Sequence, residues 1–370
     1  MKKALCFGPR DVRIVDVPER DPGPGEVRSR MMLTTLTTAN VRLYQGPLVG
    51  GLKYPVTLSY TGVGIVDSVG AGVTRFKPGD HVYPNWYHAC GECAMCRADR
   101  MVACLNMKET DHNMMVGEQY ESALQDYTIF PEKRLWPVPS HVPHDKACMT
   151  GFLSVAMQAI TVLDPEPGDT VLITGAGPIG WGITQHAKLR GARVVICDVK
   201  ADRLAQAAAY GADATIDVSK FMPEGEAPSA SGSLASPDAT TERHLDAAGL
   251  KQAIVEASGG PPLLVAEATG TAEGSKAAFD AAGRGARLAV IGVTTNPITQ
   301  HFLILKGLTV SGIGGAIKVQ RTIDLIAAGK LDLSQAISHR YPFSQLQDAL
   351  ERKRTDPEAN LVAVDVARWE

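Results

Sequence analysis

No stretch of this chain runs unbroken and apolar for the length a membrane span requires. There is no basic excess either: 37 Lys and Arg face 40 Asp and Glu, leaving a net charge of −3. That balance argues against a general nucleic-acid or membrane-surface binder. A secretory leader is missing as well. Lys2 and Lys3 are followed by Ala4-Leu5-Cys6-Phe7, then by Gly8-Pro9-Arg10-Asp11, which interrupts any apolar core. The expected location is therefore cytoplasmic. No internal repeat is visible. Disulfides are not required, because 370 residues can bury a large core without them.

The composition that remains is ordinary globular usage, with 45% hydrophobic and 21% charged residues, and the length suggests two domains. The first third reads as β-rich. Short runs at 12–17, 62–69 and 81–83 are separated by turns such as Asp21-Pro22-Gly23-Pro24-Gly25 and Lys77-Pro78-Gly79-Asp80. Frequent breakers predict a compact barrel-like unit.

Near residue 150 the pattern changes to strands alternating with helices. Apolar runs at 170–174, 193–197, 263–268 and 286–291 alternate with helical stretches, one ending near Gly191 and another at 201–210. This spacing predicts a doubly wound parallel sheet. Residues 221–243 are rich in Pro, Ala, Ser, Gly, Thr and acids, the composition of a flexible surface insertion without a role in function. Helical patterns return at 319–328 and 345–353.

Two motifs carry chemistry. Gly175-Ala176-Gly177-Pro178-Ile179-Gly180 follows an apolar strand and opens a helix. In that context the glycines serve a tight turn, close approach of backbone to pyrophosphate, and close helix packing. The helix N-terminus then offers N–H groups to phosphates. Asp198 lies 18 residues beyond Gly180, where an acid can accept both ribose hydroxyls and repel a 2′-phosphate. NAD is the expected cofactor; Lys200 and Arg203 leave NADP possible. The alternative is a ligand-free strand–helix turn.

The second motif is Cys90, Cys93, Cys96 and Cys104, spaced C-x2-C-x2-C-x7-C, four of the seven cysteines. Close thiols on a turn-rich loop suit a closed, tetrahedral zinc site. Iron–sulfur ligation usually shows a tighter last spacing and a following proline, and a disulfide is disfavoured inside a cell. Four thiolates leave no position for substrate. One structural zinc per chain is expected, ordering a lobe at 88–106.

With these motifs in place the chain resembles the zinc-containing medium-chain dehydrogenase/reductase superfamily, the alcohol, sorbitol and threonine dehydrogenases. The resemblance runs over nearly the whole length. It includes Gly62-Val63-Gly64-Ile65-Val66, Phe76-Lys77-Pro78-Gly79-Asp80-His81-Val82, the cysteine lobe, the Gly175 turn and the 286–292 strand. It implies an α/β protein made of a GroES-like β-barrel catalytic domain (1–151 and 311–370) and a Rossmann dinucleotide-binding domain (152–310), with a cleft between them. It also implies that Thr269, Gly292 and Val293 touch the cofactor together with Gly175, Gly177, Pro178, Ile179, Gly180, Asp198 and Arg203.

Zinc-dependent members hold a catalytic metal with a Cys, a His-Glu pair and a Cys or Glu at the domain junction. Here those positions read Thr37, Tyr60-Thr61 and Thr150. Neutral hydroxyls are poor zinc ligands. Cys148, two residues from the junction position, would restore one ligand only. The resemblance thus implies hydride transfer without catalytic zinc. Tyr60 is the proton donor or acceptor, with Thr37 beside it, and Asn40, Arg42, Trp86 and Thr150 line the substrate pocket. Two other readings stay open: a zinc alcohol dehydrogenase with displaced ligands, and a nucleotide-binding protein with little turnover. The partners implied are a small-molecule substrate and further copies of the chain. A homodimer or homotetramer would form through the edge strand Leu308-Thr309-Val310-Ser311.

Overall fold

The computed structural model describes residues 1–46, 53–59, 61–84, 86, 90, 92–98, 103–106, 121–223, 245–292, 300–316 and 318–369. The chain divides into two compact units, Met1–Gly151 with Gly315–Glu370, and Phe152–Gly314. Among the described residues no helix is long and apolar enough to cross a membrane.

The first unit opens with β1 (Lys2–Gly8) and β2 (Asp11–Asp16), an antiparallel pair. It continues with β3 (Glu26–Leu36), β4 (Gly62–Val69), β5 (His81–Pro84), β6 (Tyr127–Pro131) and β7 (Leu135–Val138). The long β3 is the spine. It pairs antiparallel with β4 along its length and with β6 over its first half. Its register shifts at Arg28/Ser29 and Met31/Leu33, the irregularities that curve a strand. β4 approaches so closely that a Cβ on Gly64 would lie 2.8 Å from the Arg30 carbonyl oxygen. Glycine is therefore required there for contact rather than for dihedral freedom.

The second unit supplies β8 (Thr170–Thr174), β9 (Arg193–Asp198), β10 (Ala214–Asp217), β11 (Leu264–Glu267), β12 (Arg287–Val290) and β13 (Thr309–Gly312). All pair in parallel in the order β10-β9-β8-β11-β12-β13. Counted from this unit's own first strand the order is 3-2-1-4-5-6, which reverses between β8 and β11. The strand residues 171–173, 194–197 and 264–267 are buried throughout, as strands covered on both faces must be. The core includes Leu172, Val195, Ile254, Val265, Phe279 and Leu288.

The boundary anticipated at residue 311 falls inside β13. Ser311 and Gly312 pair with Ala289 and Val290, so the parallel sheet keeps them and the unit closes at Gly314. The chain then returns to the first unit. There β14 (Ile337–Pro342) and β15 (Leu361–Asp365) extend the seven-stranded sheet, β15 pairing with β3. The core of this unit includes Val27, Met31, Leu36, Val66, Val82, Phe130, Val362 and Val364.

The first unit is tied internally by Glu351 on the helix Leu346–Thr355. Its carboxylate accepts from Tyr44 Oη at 2.7 Å, Arg10 Nε at 3.0 Å and Arg354 Nε at 2.8 Å. Burial opposes ionisation, but these donors outweigh it and hold the Glu351 pKa down to about 2.

Candidate cofactor and metal sites

At the carboxyl end of β8 the chain turns at Gly175, with φ of 97°, a conformation open to glycine and strained for other residues. A Cβ there would also lie 2.8 Å from the carbonyl carbon and oxygen of Ala268. At Gly177 a Cβ would meet nothing within 4 Å, leaving space for a ligand to reach the backbone. At Gly180 it would sit 2.0 Å from the Gly175 carbonyl oxygen, so the helix Pro178–Leu189 packs directly on the turn.

That helix begins with Pro178 at its first position and has no side chain capping its N-terminus. The helices Ala247–Ser258 and Ala272–Ala281 in the same unit are capped by Asp246 and Thr271. An uncapped N-terminus keeps its first N–H groups for an anion.

Asp198 ends β9. One carboxylate oxygen accepts from Ala176 N at 2.7 Å and the other from Lys200 N at 2.9 Å. The acid therefore braces the glycine turn. Arg203 accepts from Trp181 Nε1 through its carbonyl at 3.1 Å, which fixes the following helix against Pro178–Leu189. Thr269 and Gly292 lie in the loops after β11 and β12, and Val293 falls outside the described residues. The residue that links the two loops, Glu267, was not anticipated. It is the last residue of β11 and is fully buried. Its sequence signal is an acid closing an apolar strand just before Thr269-Gly270.

In the first unit the four cysteine sulfurs converge, all within 4.8 Å of one another. Cys90 and Cys96 sulfurs are 3.9 Å apart and those of Cys93 and Cys104 are 4.0 Å apart. Zinc–sulfur bonds of about 2.3 Å in a tetrahedron require sulfurs about 3.8 Å apart, so the donor set fits zinc. Backbone N–H groups already point at the sulfurs: Cys93 N at 3.3 Å from Cys90 Sγ, Cys96 N at 3.4 Å from Cys93 Sγ, and Cys90 N at 3.3 Å from Cys104 Sγ. The N–H groups of Cys96 and Leu105 bring the Cys93 thiol down to about 6. Among the described residues this is the one group of three or more His, Cys, Asp or Glu side chains that converge at ligand distance.

Of the positions expected around a catalytic centre, Thr37, Asn40 and Thr150 are hydrogen-bonded within the first unit itself. Thr37 caps the helix Thr38–Gln45: its side chain accepts from Asn40 N while the Asn40 side chain accepts from Thr37 N. Asn40 is 1% exposed and its amide nitrogen donates to the Leu58 carbonyl. Arg42 sits on the same helix, half-buried. Trp86 packs edge-on against Phe130 in the barrel core, with centroids 5.3 Å apart. Thr150 is fully buried and donates to the Ala147 carbonyl at 2.7 Å. Tyr60 lies outside the described residues.

Its neighbours in the chain belong to a buried hydroxyl layer that no motif reveals. Ser59 Oγ lies 2.6 Å from Thr34 Oγ1, and Thr61 Oγ1 lies 3.5 Å from Thr35 Oγ1 and 3.3 Å from the Thr35 carbonyl oxygen. Ser122 donates to the Ser59 carbonyl at 3.3 Å. Cys148 closes the layer, 3.9 Å from Thr35 Oγ1; its complete burial pushes the thiol up to about 12.

A GroES-like barrel with a cysteine lobe, joined to a 3-2-1-4-5-6 parallel sheet with an uncapped glycine turn, defines an NAD(P)-dependent oxidoreductase. Comparison agrees. Residues 23–140 match the alcohol dehydrogenase GroES-like domain and residues 178–328 the zinc-binding dehydrogenase domain. An L-threonine 3-dehydrogenase of Saccharopolyspora erythraea is 28% identical over 93% of this chain and 92% of its own length. The starvation-sensing protein RspB of Escherichia coli K12 is 27% identical over 95% and 94%. A crystal structure of an NAD-dependent alcohol dehydrogenase is 25% identical, with a TM-score of 0.78 and 99% of each chain covered. The chain belongs to the medium-chain dehydrogenase/reductase superfamily.

Proposed function

We propose that this chain transfers hydride between NAD(H) and a small to mid-sized organic substrate, an alcohol/carbonyl pair or a polarised C=C or C=N bond, without a catalytic zinc. The observation that carries the reading is the state of the ligand positions. Thr37, Thr61 and Thr150 offer neutral hydroxyls, each already hydrogen-bonded within its own unit, and Cys148 is buried as a thiol. None supplies the thiolate, imidazole or carboxylate that zinc prefers.

When bound, the nicotinamide supplies the hydride chemistry, and the protein's part is orientation and proton transfer. The turn 175–180 and the N-terminus of Pro178–Leu189 receive the pyrophosphate. Asp198, held by Ala176 N and Lys200 N, presents acceptor oxygens to the ribose and favours NAD over NADP. Tyr60 is the proposed proton donor or acceptor, from its place in the sequence. Cys90, Cys93, Cys96 and Cys104 would hold one zinc that orders their lobe and takes no part in turnover. The location is proposed to be cytoplasmic. Assembly is proposed to be a homodimer or homotetramer through β13, the last strand of the parallel sheet, beside Ile304 and Leu305, which are 77% and 53% exposed.

The test is metal analysis with activity. Purified protein should carry one zinc per chain, bind NADH more tightly than NADPH, and scatter light as a dimer or tetramer. Initial turnover should be unchanged when a chelator is added without stripping the cysteine lobe. Two firmly held zinc ions per chain, or immediate loss of turnover with chelator, would overturn the zinc-free reading in favour of displaced ligands.

A further inference from the structure

Glu267 presents a problem of charge. It is 0% exposed, and its side-chain partners are backbone N–H and hydroxyl donors. A buried carboxyl group is costly unless donors satisfy it. Here the donors come from two separate loops. Oε1 accepts from Thr269 N at 2.9 Å and from Thr269 Oγ1; Oε2 accepts from Gly292 N at 3.1 Å. The loop after β11 and the loop after β12 are thereby joined through this side chain, in addition to the Glu267 carbonyl, which accepts from Ile291 N at 2.8 Å and Gly292 N at 3.2 Å.

The linkage extends to the glycine turn. A Cβ on Gly175 would lie 2.8 Å from the Ala268 carbonyl and 3.0 Å from Thr269 N, and a Cβ on Gly292 would lie 2.4 Å from Gly270 N. The peptide that Glu267 holds therefore packs against both the turn and the next loop. Thr269 Oγ1 in turn accepts from Thr271 N at 3.2 Å, which starts the helix Ala272–Ala281.

The position follows from the sheet. Strand order reverses between β8 and β11, and a dinucleotide lies across the carboxyl ends of the strands at that reversal. Asp198 on β9 takes the adenosine ribose to one side. Beyond the pyrophosphate at Gly175–Gly180, the other half of the dinucleotide must extend over the ends of β11 and β12. Resting on the proposal that this unit binds NAD(H), we infer that Glu267 is a positioning residue that sets the surface receiving the nicotinamide half, acting through Thr269 and Gly292 rather than by touching the cofactor.

An isosteric amide cannot replace it. Glutamine has one acceptor oxygen, so its NH2 would face either the Thr269 donors or Gly292 N–H. One buried donor would then be left opposed.

The experiment is calorimetric titration of the full chain with NADH and, separately, with ADP-ribose, which lacks the nicotinamide. The opposed donor shifts the loop that carries Thr269 or Gly292, so Glu267→Gln should weaken NADH about tenfold while leaving ADP-ribose within about twofold. Thr269→Val, which removes one donor and keeps the shape, should weaken NADH about threefold; Thr269→Ser, which restores the hydroxyl, should bind as the wild type does. Equal weakening of both ligands would mean general damage and would overturn the inference, as would unchanged NADH affinity in Glu267→Gln. If Glu267→Gln does not fold, the Thr269 pair decides by the same split. A wild-type chain that binds neither ligand overturns the cofactor reading itself.

Discussion

The glycine turn of the second unit and the hydroxyl layer of the first use polar groups in opposite ways. At 175–180 the side chains are almost absent, the helix end is uncapped and the space over Gly177 is open. Ala176 N is taken by Asp198, while no side chain caps the start of the helix Pro178–Leu189. Around Thr34, Thr35, Ser59 and Thr61 the hydroxyls are spent on one another, with Ser59 Oγ 2.6 Å from Thr34 Oγ1 and Thr61 Oγ1 3.3 Å from the Thr35 carbonyl. A surface built to receive a ligand keeps donors or acceptors in reserve, whereas buried polar groups without a ligand must satisfy each other.

The sharpest break in this contrast would come from Tyr60. If it moves the proton, Tyr60→Phe should lower turnover by about 100-fold with NADH affinity unchanged, the usual scale for a general acid or base. Single-turnover kinetics with a true substrate would measure this. Full retention of turnover would place the proton source on substrate, water or ribose, and would make the position packing like its neighbours.

A crossed pair of substitutions then separates the two regions. Gly175→Ala meets both a positive φ and the Ala268–Thr269 peptide, and should weaken NADH by at least about tenfold. Thr34→Val removes the hydroxyl that bonds both Ser59 Oγ and the Thr61 carbonyl, and should lower stability by about 1–3 kcal/mol with no change in NADH affinity. Chemical denaturation alongside nucleotide titration reads both. If Thr34→Val weakens NADH as much as Gly175→Ala does, the two regions are not independent and the contrast fails.

The zinc lobe lies between these extremes. Its four ligands are local in sequence, yet their arrangement depends on backbone N–H groups that the spacing does not show. The Cys93 thiol is drawn down to about 6 by N–H groups of Cys96 and Leu105, and Leu105 lies twelve residues along the chain.

Sequence by itself determined the parts whose chemistry is local. The strand Thr170–Thr174, the turn that follows it, Asp198 at the end of the next strand, and the cysteine spacing were all legible, because each function needs fixed residue types at short separations. The helix Thr38–Gln45 was not legible: Thr37, read as a catalytic residue beside Tyr60, and Asn40, read as a pocket residue, form its capping box. Nor were β14 and β15, since the place of β15 beside β3, and of β14 beside β15, depends on a chain returning after more than 150 residues.

Only the tertiary structure decided what the isolated acids, alcohols and thiols do. Glu267 gains its role from Gly292, which β12 brings alongside β11, and Cys148 loses its reactivity because complete burial beside Thr35 disfavours the thiolate. Burial and long-range partners set the charge and hydrogen-bonding state of such groups, and neither is encoded in the residues next to them in the chain.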